Sequence, residues 1–111
     1  MQKHPILKVI TGVCALAVAV ILCAPAKADE KSAGLYKEKC LACHGADGKG
    51  ETAKGKAMKV RSFGDPEVAK MSDDELAGAI AKGKGKMPAY SKSLKPDEIK
   101  AMVAYLRSLV K

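Results

Sequence analysis

Aromatic residues are scarce in this chain: its 111 residues include no tryptophan, one phenylalanine and three tyrosines. Much of its apolar content is alanine, so a core made of side chains alone would bury little area. Small domains of this kind usually need a disulfide, a metal or another staple to be stable. No aromatic residues interleave the basic segments, which argues against nucleic-acid binding.

Only one long hydrophobic run is found, over residues 9–22. It is shorter than the roughly 20 apolar residues that span a membrane. Two lysines precede it and Ala26-Lys27-Ala28 follows it, an order typical of a secretory signal peptide. We therefore expect a signal peptide over residues 1–28, one mature domain over residues 29–111 and export to the periplasm. A signal peptide that is not cleaved would instead tether the protein to the membrane.

Cysteine and histidine are also few, with four and two residues. Two of the cysteines and His4 lie in the expected signal peptide, which leaves Cys40, Cys43 and His44. A structural zinc site needs four such ligands, so one is missing. A redox-active C-x-x-C pair is typical of a βαβ context, whereas the flanks here favour helices and turns. A purely structural disulfide would not need the histidine.

Cys40-Leu41-Ala42-Cys43-His44 matches the c-type haem attachment motif. Two thiols three positions apart can each add across a vinyl group of one haem, and the imidazole that follows can reach the iron. The composition of the chain gives roughly 0.003 such pentapeptides by chance. We therefore expect one covalently attached haem c that uses both cysteines, with His44 as the first axial ligand of the iron.

The rest of the chain favours helices, with no strand pattern or repeat. Three helices are expected: one from Asp29 to about Cys43, one capped by Ser72 and Glu75 and ended by Gly83, and one from Pro96. Between the first two lie a glycine-rich break over 45–50, a polar stretch to about Val60 and a turn over 63–66. A loop over 83–90 precedes the last helix. The last helix is the clearest, because its apolar residues recur at helical spacing.

The second iron ligand is a methionine, a lysine or none, because the mature chain has no second histidine. Met102 lies on the apolar stripe of the last helix, where methionine is usually core filler. Met71 directly precedes a helix cap, where an apolar residue commonly packs. Met58 has no rigid neighbour. Met87 leaves a glycine-rich segment and precedes Pro88, which fixes the backbone, so we predict Met87 as the ligand.

Residues 32–109 resemble a monohaem class I cytochrome c of bacterial type. The matching segments are Cys40-x-x-Cys43-His44-Gly45-x-Asp47-Gly48-x-Gly50, the Gly-x-Gly-x-Met87-Pro88 loop and the final helix with Tyr105-Leu106. The resemblance implies an all-α cytochrome c fold of three to five short helices around one covalently bound haem.

The resemblance also implies roles for particular residues. His44 and Met87 would ligate opposite faces of the iron, and Tyr36 and Tyr105 would meet where the first and last helices cross. Arg61 is the candidate for binding the haem propionates. The implied function is one-electron transfer by a carrier that is not an enzyme. The alternatives are a gas sensor or peroxidase-like protein with an open or labile sixth site, and a subunit docked on a membrane oxidase or dehydrogenase.

The charge of the chain is strongly basic, formally +8 overall. Without residues 1–28, 17 basic and 12 acidic residues remain, which leaves +5. Lysines cluster beside the predicted ligand loop and after the attachment motif, at Lys82, Lys84, Lys86, Lys49, Lys54 and Lys56. We expect them to attract redox proteins with acidic docking surfaces, such as an oxidase, reductase or dehydrogenase. The alternative is that they are ordinary solvated lysines.

We expect a monomer that contacts membranes only through partners or an uncleaved signal peptide.

Overall fold

The computed structural model describes residues 26–111, and the regular structure in this range is helical. The helices are α1 (Ala26–Lys39), α2 (Leu41–His44), α3 (Ala53–Ala57), α4 (Pro66–Ala69), α5 (Asp73–Lys82) and α6 (Pro96–Leu109). The all-α prediction is confirmed. The predicted signal peptide lies outside the described residues, except for its last three positions. None of the helices in residues 26–111 is long and apolar enough to cross a membrane.

Six helices are found in the described range, rather than three to five, because three of them are single turns of four or five residues. Such turns are too short to show a hydrophobic period, and their only signals are their caps. The Thr52 side chain accepts a hydrogen bond from Gly55 N at the start of α3, and the Asp65 side chain accepts one from Glu67 N at the start of α4. The predicted first helix is interrupted at Cys40, where α1 gives way to α2.

The predicted capping box begins α5. The Ser72 side chain accepts a hydrogen bond from Glu75 N, and the Glu75 carboxylate accepts one from Ser72 N. The helix ends before Gly83, whose φ of 76° is in the left-handed region that glycine adopts at low cost. Arg107 then joins α6 to this cap, because its guanidinium donates to Asp73 Oδ1 and to the Met71 carbonyl, both at 2.7 Å.

The core lies where α6 packs against α1 and α5. Its buried apolar residues are Tyr36, Ile80, Leu94, Ile99, Met102, Val103 and Leu106. The rings of Tyr36 and Tyr105 meet at the crossing of α1 with α6, with centroids 5.3 Å apart and planes tilted by 55°. The apolar stripe of α6 is buried as predicted up to Leu106, whereas Val110 follows the helix and is exposed. Among the short helices, α2 packs against both α1 and α3.

An ion pair joins the first and last helices, with Lys31 Nζ 3.1 Å from Glu98 Oε1. The hydrogen bond from Lys31 lowers the pKa of Glu98. The pair therefore stabilises the fold above the unfolded-state pKa of glutamate, about 4.3, and this stabilisation is lost as pH falls through the lower folded-state value. Glu98→Gln should reduce the free energy of unfolding at pH 7 but not below about pH 3. Denaturant titrations at both pH values measure this, and an equal deficit at both would contradict it.

Candidate functional site

The attachment motif forms a tight helical turn. The amides of Cys43 and His44 both donate to the Cys40 carbonyl, at 3.2 and 3.0 Å. This turn places the two cysteines on one face, three positions apart. Both thiols are free and half-buried. Burial raises the pKa of the Cys40 thiol to about 11, while the charge of Lys39 lowers it by less.

Residues 50–55 pack against this turn and form hydrogen bonds to its backbone. Thr52 Oγ1 lies 2.8 Å from the Ala42 carbonyl and 3.2 Å from the Cys43 carbonyl. A Cβ atom on Gly55 would lie 2.2 Å from the Cys43 carbonyl oxygen and 2.5 Å from that of Gly50, so only glycine fits there. The Gly50 amide also donates to the His44 carbonyl, at 2.8 Å. The backbone of the motif is therefore held from outside as well as by its own helical bonds.

The His44 imidazole is half-buried and stacks on Phe63, with ring centroids 4.8 Å apart and planes 23° from parallel. Burial lowers the pKa of His44, which favours the neutral ring. Neutral imidazole is the form that ligates metals. Its Nδ1 is buried and has no hydrogen-bond partner among residues 26–111. A buried polar atom of this kind is uncommon in a native fold and is typical of a site that takes a further group.

Residues 83–90, here named the Met87 loop, have a defined backbone. Lys84 and Met87 exchange two backbone hydrogen bonds, of 3.2 and 3.0 Å. A Cβ atom on Gly83 would lie 2.5 Å from the Met87 carbonyl oxygen, so the turn needs glycine there. The amides of Tyr90 and Ser91 donate to carbonyls of α5. The half-buried Met87 side chain therefore extends from a turn with a defined backbone conformation. The glycines and Pro88 around Met87 had predicted such a loop.

A cavity of about 860 Å³ joins these parts. Its lining includes the four predicted site residues Cys40, Cys43, His44 and Met87. Apolar side chains form much of the remaining wall, among them Val60, Phe63, Val68, Leu76, Ile80 and Leu106. Ligand cavities commonly enclose about 300–1,000 Å³. Two free thiols, an imidazole with an unpartnered buried nitrogen and a thioether are the donor set of a covalently attached haem, so the residues fit this group.

A family model described as cytochrome C oxidase, cbb3-type, subunit III matches residues 27–106. The chain belongs to this cytochrome c family. The resemblance to class I cytochromes c is thereby confirmed, and membership of this family implies haem c as the cofactor and electron transfer as the general function. Within the described residues, no group of three or more His, Cys, Asp or Glu side chains is placed to hold a metal ion.

Among curated proteins, the cytochrome is 37% identical over 83 residues to the cbb3-type cytochrome c oxidase subunit FixP of Bradyrhizobium diazoefficiens. That match covers 71% of this chain and 27% of FixP. The chain thus spans about a quarter of the length of the curated relatives it matches.

Solved structures show the same fold. The KustC0563 c-type cytochrome is 35% identical, with a TM-score of 0.66 over 72% of this chain and 98% of its own. Cytochrome c6C from Synechococcus sp. PCC 7002 is 28% identical, with a TM-score of 0.53 over 70% and 92% of the two chains. Each of these matches covers nearly the whole of the solved relative.

The other methionines within residues 26–111 also reach the cavity. Met58, Met71 and Met102 line it together with Met87. Their backbones differ: Met102 is fully buried within α6, Met58 follows the last turn of α3, and Met71 has its carbonyl bound by Arg107. Proximity alone therefore does not distinguish a ligand, and the choice of Met87 rests on the turn that presents it.

The basic residues singled out from the sequence divide into two groups. Lys84, Lys86 and Arg61 line the cavity and are exposed, as expected for residues at its rim. The other predicted lysines are exposed but are not part of the lining: Lys49, Lys54, Lys56 and Lys82. The cluster predicted from sequence is thus only partly assembled around the cavity.

Sequence reasoning missed four residues that shape the site: Thr52, Gly55, Phe63 and Tyr90. One weak signal was present, since Thr52 is a favourable residue at the start of a helix. Phe63 is the only phenylalanine of the chain, and Tyr90 follows Met87 by three positions. None of these features indicated which group each residue contacts.

Proposed function

We propose that this cytochrome is a one-electron carrier that holds a single haem c through Cys40 and Cys43, with His44 and Met87 as the two axial ligands of the iron. When bound, the haem supplies a ferric/ferrous couple that accepts and gives up one electron. The observation that carries the proposal is that Cys40, Cys43 and His44 line one cavity together with Met87, whose backbone is held in a hydrogen-bonded turn.

The protein side of the proposal rests on pre-arranged ligands. Phe63 and the Gly50 amide fix the ring and the backbone of His44, and burial favours its neutral form. The turn between Lys84 and Met87 holds the backbone position from which the Met87 side chain extends. If His44 and Met87 both ligated the iron, a substrate would find no free place on the metal, so the cytochrome would act as a carrier and not as an enzyme.

The proposed partners are redox proteins with acidic docking surfaces. Lys84 and Lys86 are exposed at the rim of the cavity, and Lys39 lies beside the attachment cysteines. Positive charge at the opening speeds the encounter with acidic surfaces and allows rapid release, as transient redox contacts require. FixP is named as a subunit of a cbb3-type oxidase, which supports an oxidase as one such partner. We place the cytochrome in the periplasm as a monomer, with the signal peptide cleaved or kept as a tether.

Carbon monoxide binding tests the proposal. If Met87 ligates the iron, the reduced protein at neutral pH should bind carbon monoxide slowly and incompletely, whereas Met87→Ala should bind it rapidly. Absorption spectroscopy after rapid mixing measures both. Rapid, stoichiometric binding by the unaltered protein would instead support a gas sensor or peroxidase-like protein with an open or labile sixth site.

A further inference from the structure

Tyr90 connects the Met87 loop to the attachment motif. Its hydroxyl donates a hydrogen bond to the Lys39 carbonyl, at 3.0 Å, across a sequence separation of 51 residues. Lys39 directly precedes Cys40, and Tyr90 ends the Met87 loop. This one bond therefore joins the two segments that supply the proposed haem-binding residues.

Both ends of this connection are firmly held. The Tyr90 amide donates to the Ile80 carbonyl of α5 at 3.0 Å, and the Tyr90 carbonyl accepts from the Leu94 amide at 2.8 Å. The acceptor, Lys39, is the last residue of α1, where a helix leaves its carbonyls without partners inside the helix. Tyr90 is half-buried, and burial raises the pKa of its hydroxyl, which is a proton donor at physiological pH even without this shift.

We propose that Tyr90 is a positioning residue whose hydroxyl holds the Met87 loop against the end of α1 and so limits how often the Met87 sulfur leaves the iron. This inference rests on the proposed function, because it takes Met87 as an axial ligand. The loop has its own fixed turn at Lys84 and Met87, so the Tyr90 bond controls where the whole loop lies and not the shape of the turn.

Tyr90→Phe tests the role, because it removes the hydroxyl and keeps the ring that lines the cavity. The chain also offers a matched control in Tyr36→Phe. The Tyr36 hydroxyl likewise donates to a backbone carbonyl, that of Gly45, beside His44 and not in the Met87 loop. Each variant loses one tyrosine-to-carbonyl hydrogen bond, so each should lose stability, and Tyr36→Phe should lose more because its bond is buried. Circular dichroism and thermal unfolding of the haem-loaded proteins check this.

The decisive measurement is the rate at which imidazole binds the ferric, haem-loaded protein. At high imidazole concentration this rate reaches a plateau set by departure of the methionine sulfur. A net hydrogen bond contributes roughly 0.5–1.5 kcal/mol, so Tyr90→Phe should raise the plateau rate about 2- to 10-fold. Tyr36→Phe should change it less than about 2-fold, because its bond does not hold the loop. The sulfur-to-iron absorption should persist in both variants at neutral pH.

Two outcomes would overturn the inference while leaving the proposed function intact: a plateau rate unchanged in Tyr90→Phe, or an equal rise in Tyr90→Phe and Tyr36→Phe. Failure of the proposed function looks different. The unaltered protein would then show no plateau at all, and its rate would rise in proportion to imidazole concentration because no sulfur has to leave.

Discussion

Replacing Met87 with alanine is expected to remove the sulfur-to-iron absorption of the ferric cytochrome and to lower its reduction potential. A thioether ligand favours ferrous iron, so its loss stabilises the ferric state relative to the ferrous one. The effect should be large because the variant loses a ligand and also opens the cavity to water beside the iron. Absorption spectra in both oxidation states and a redox titration measure the two changes.

The controls for this prediction are Met58→Ala and Met71→Ala. Both residues line the same cavity as Met87, so each is a realistic competitor for the iron. Met71 is held by backbone hydrogen bonds on both sides, from its amide to Val68 and from Arg107 to its carbonyl. Neither substitution should remove the absorption or lower the potential comparably. An unchanged spectrum in Met87→Ala would show that the ligand is wrongly assigned, and loss of the absorption in one of the other variants would identify the correct residue.

The features that sequence predicted best are those set by neighbouring residues. The capping box of Ser72 and Glu75 and the proline at the start of α6 act within one turn, so their helices begin and end close to where the pattern placed them. The attachment motif is likewise local, because one helical turn brings its two cysteines together. The single-turn helices α3 and α4 were missed because four or five residues cannot show a period of 3.6.

The features that sequence did not predict depend on packing between distant segments. The contact of Phe63 with His44 and the bond from Tyr90 to Lys39 exist only after the helices have assembled, and no local pattern encodes them. The lysines show the same limit. The sequence has one group of lysines beside the predicted ligand loop and another after the attachment motif. In the fold, Lys84 and Lys86 line the cavity, whereas the exposed Lys54 and Lys56 do not.

Gly55 leads to the second large prediction, in which the fold reverses an intrinsic preference. Within a helix, alanine is favoured over glycine by roughly 0.5–1 kcal/mol. A Cβ atom on Gly55 would nevertheless lie 2.2 Å from the Cys43 carbonyl oxygen and 2.5 Å from that of Gly50. Both obstacles are backbone atoms and cannot rotate away, so α3 would have to move from the attachment motif. Gly55→Ala should therefore lower the free energy of unfolding by about 1–3 kcal/mol, as overpacked sites do.

The matched control is Gly78→Ala, which places the same substitution inside α5. A Cβ atom there would meet no atom within 4 Å, so the intrinsic preference should prevail and the variant should gain roughly 0.5–1 kcal/mol. Denaturant unfolding of the haem-loaded proteins measures both free energies of unfolding. A loss of stability in Gly55→Ala together with a gain in Gly78→Ala would distinguish steric contact from helix propensity. If Gly55→Ala were as stable as Gly78→Ala, α3 would not pack against the Cys43 carbonyl as described. The position of the two cysteines would then depend on the α2 turn alone.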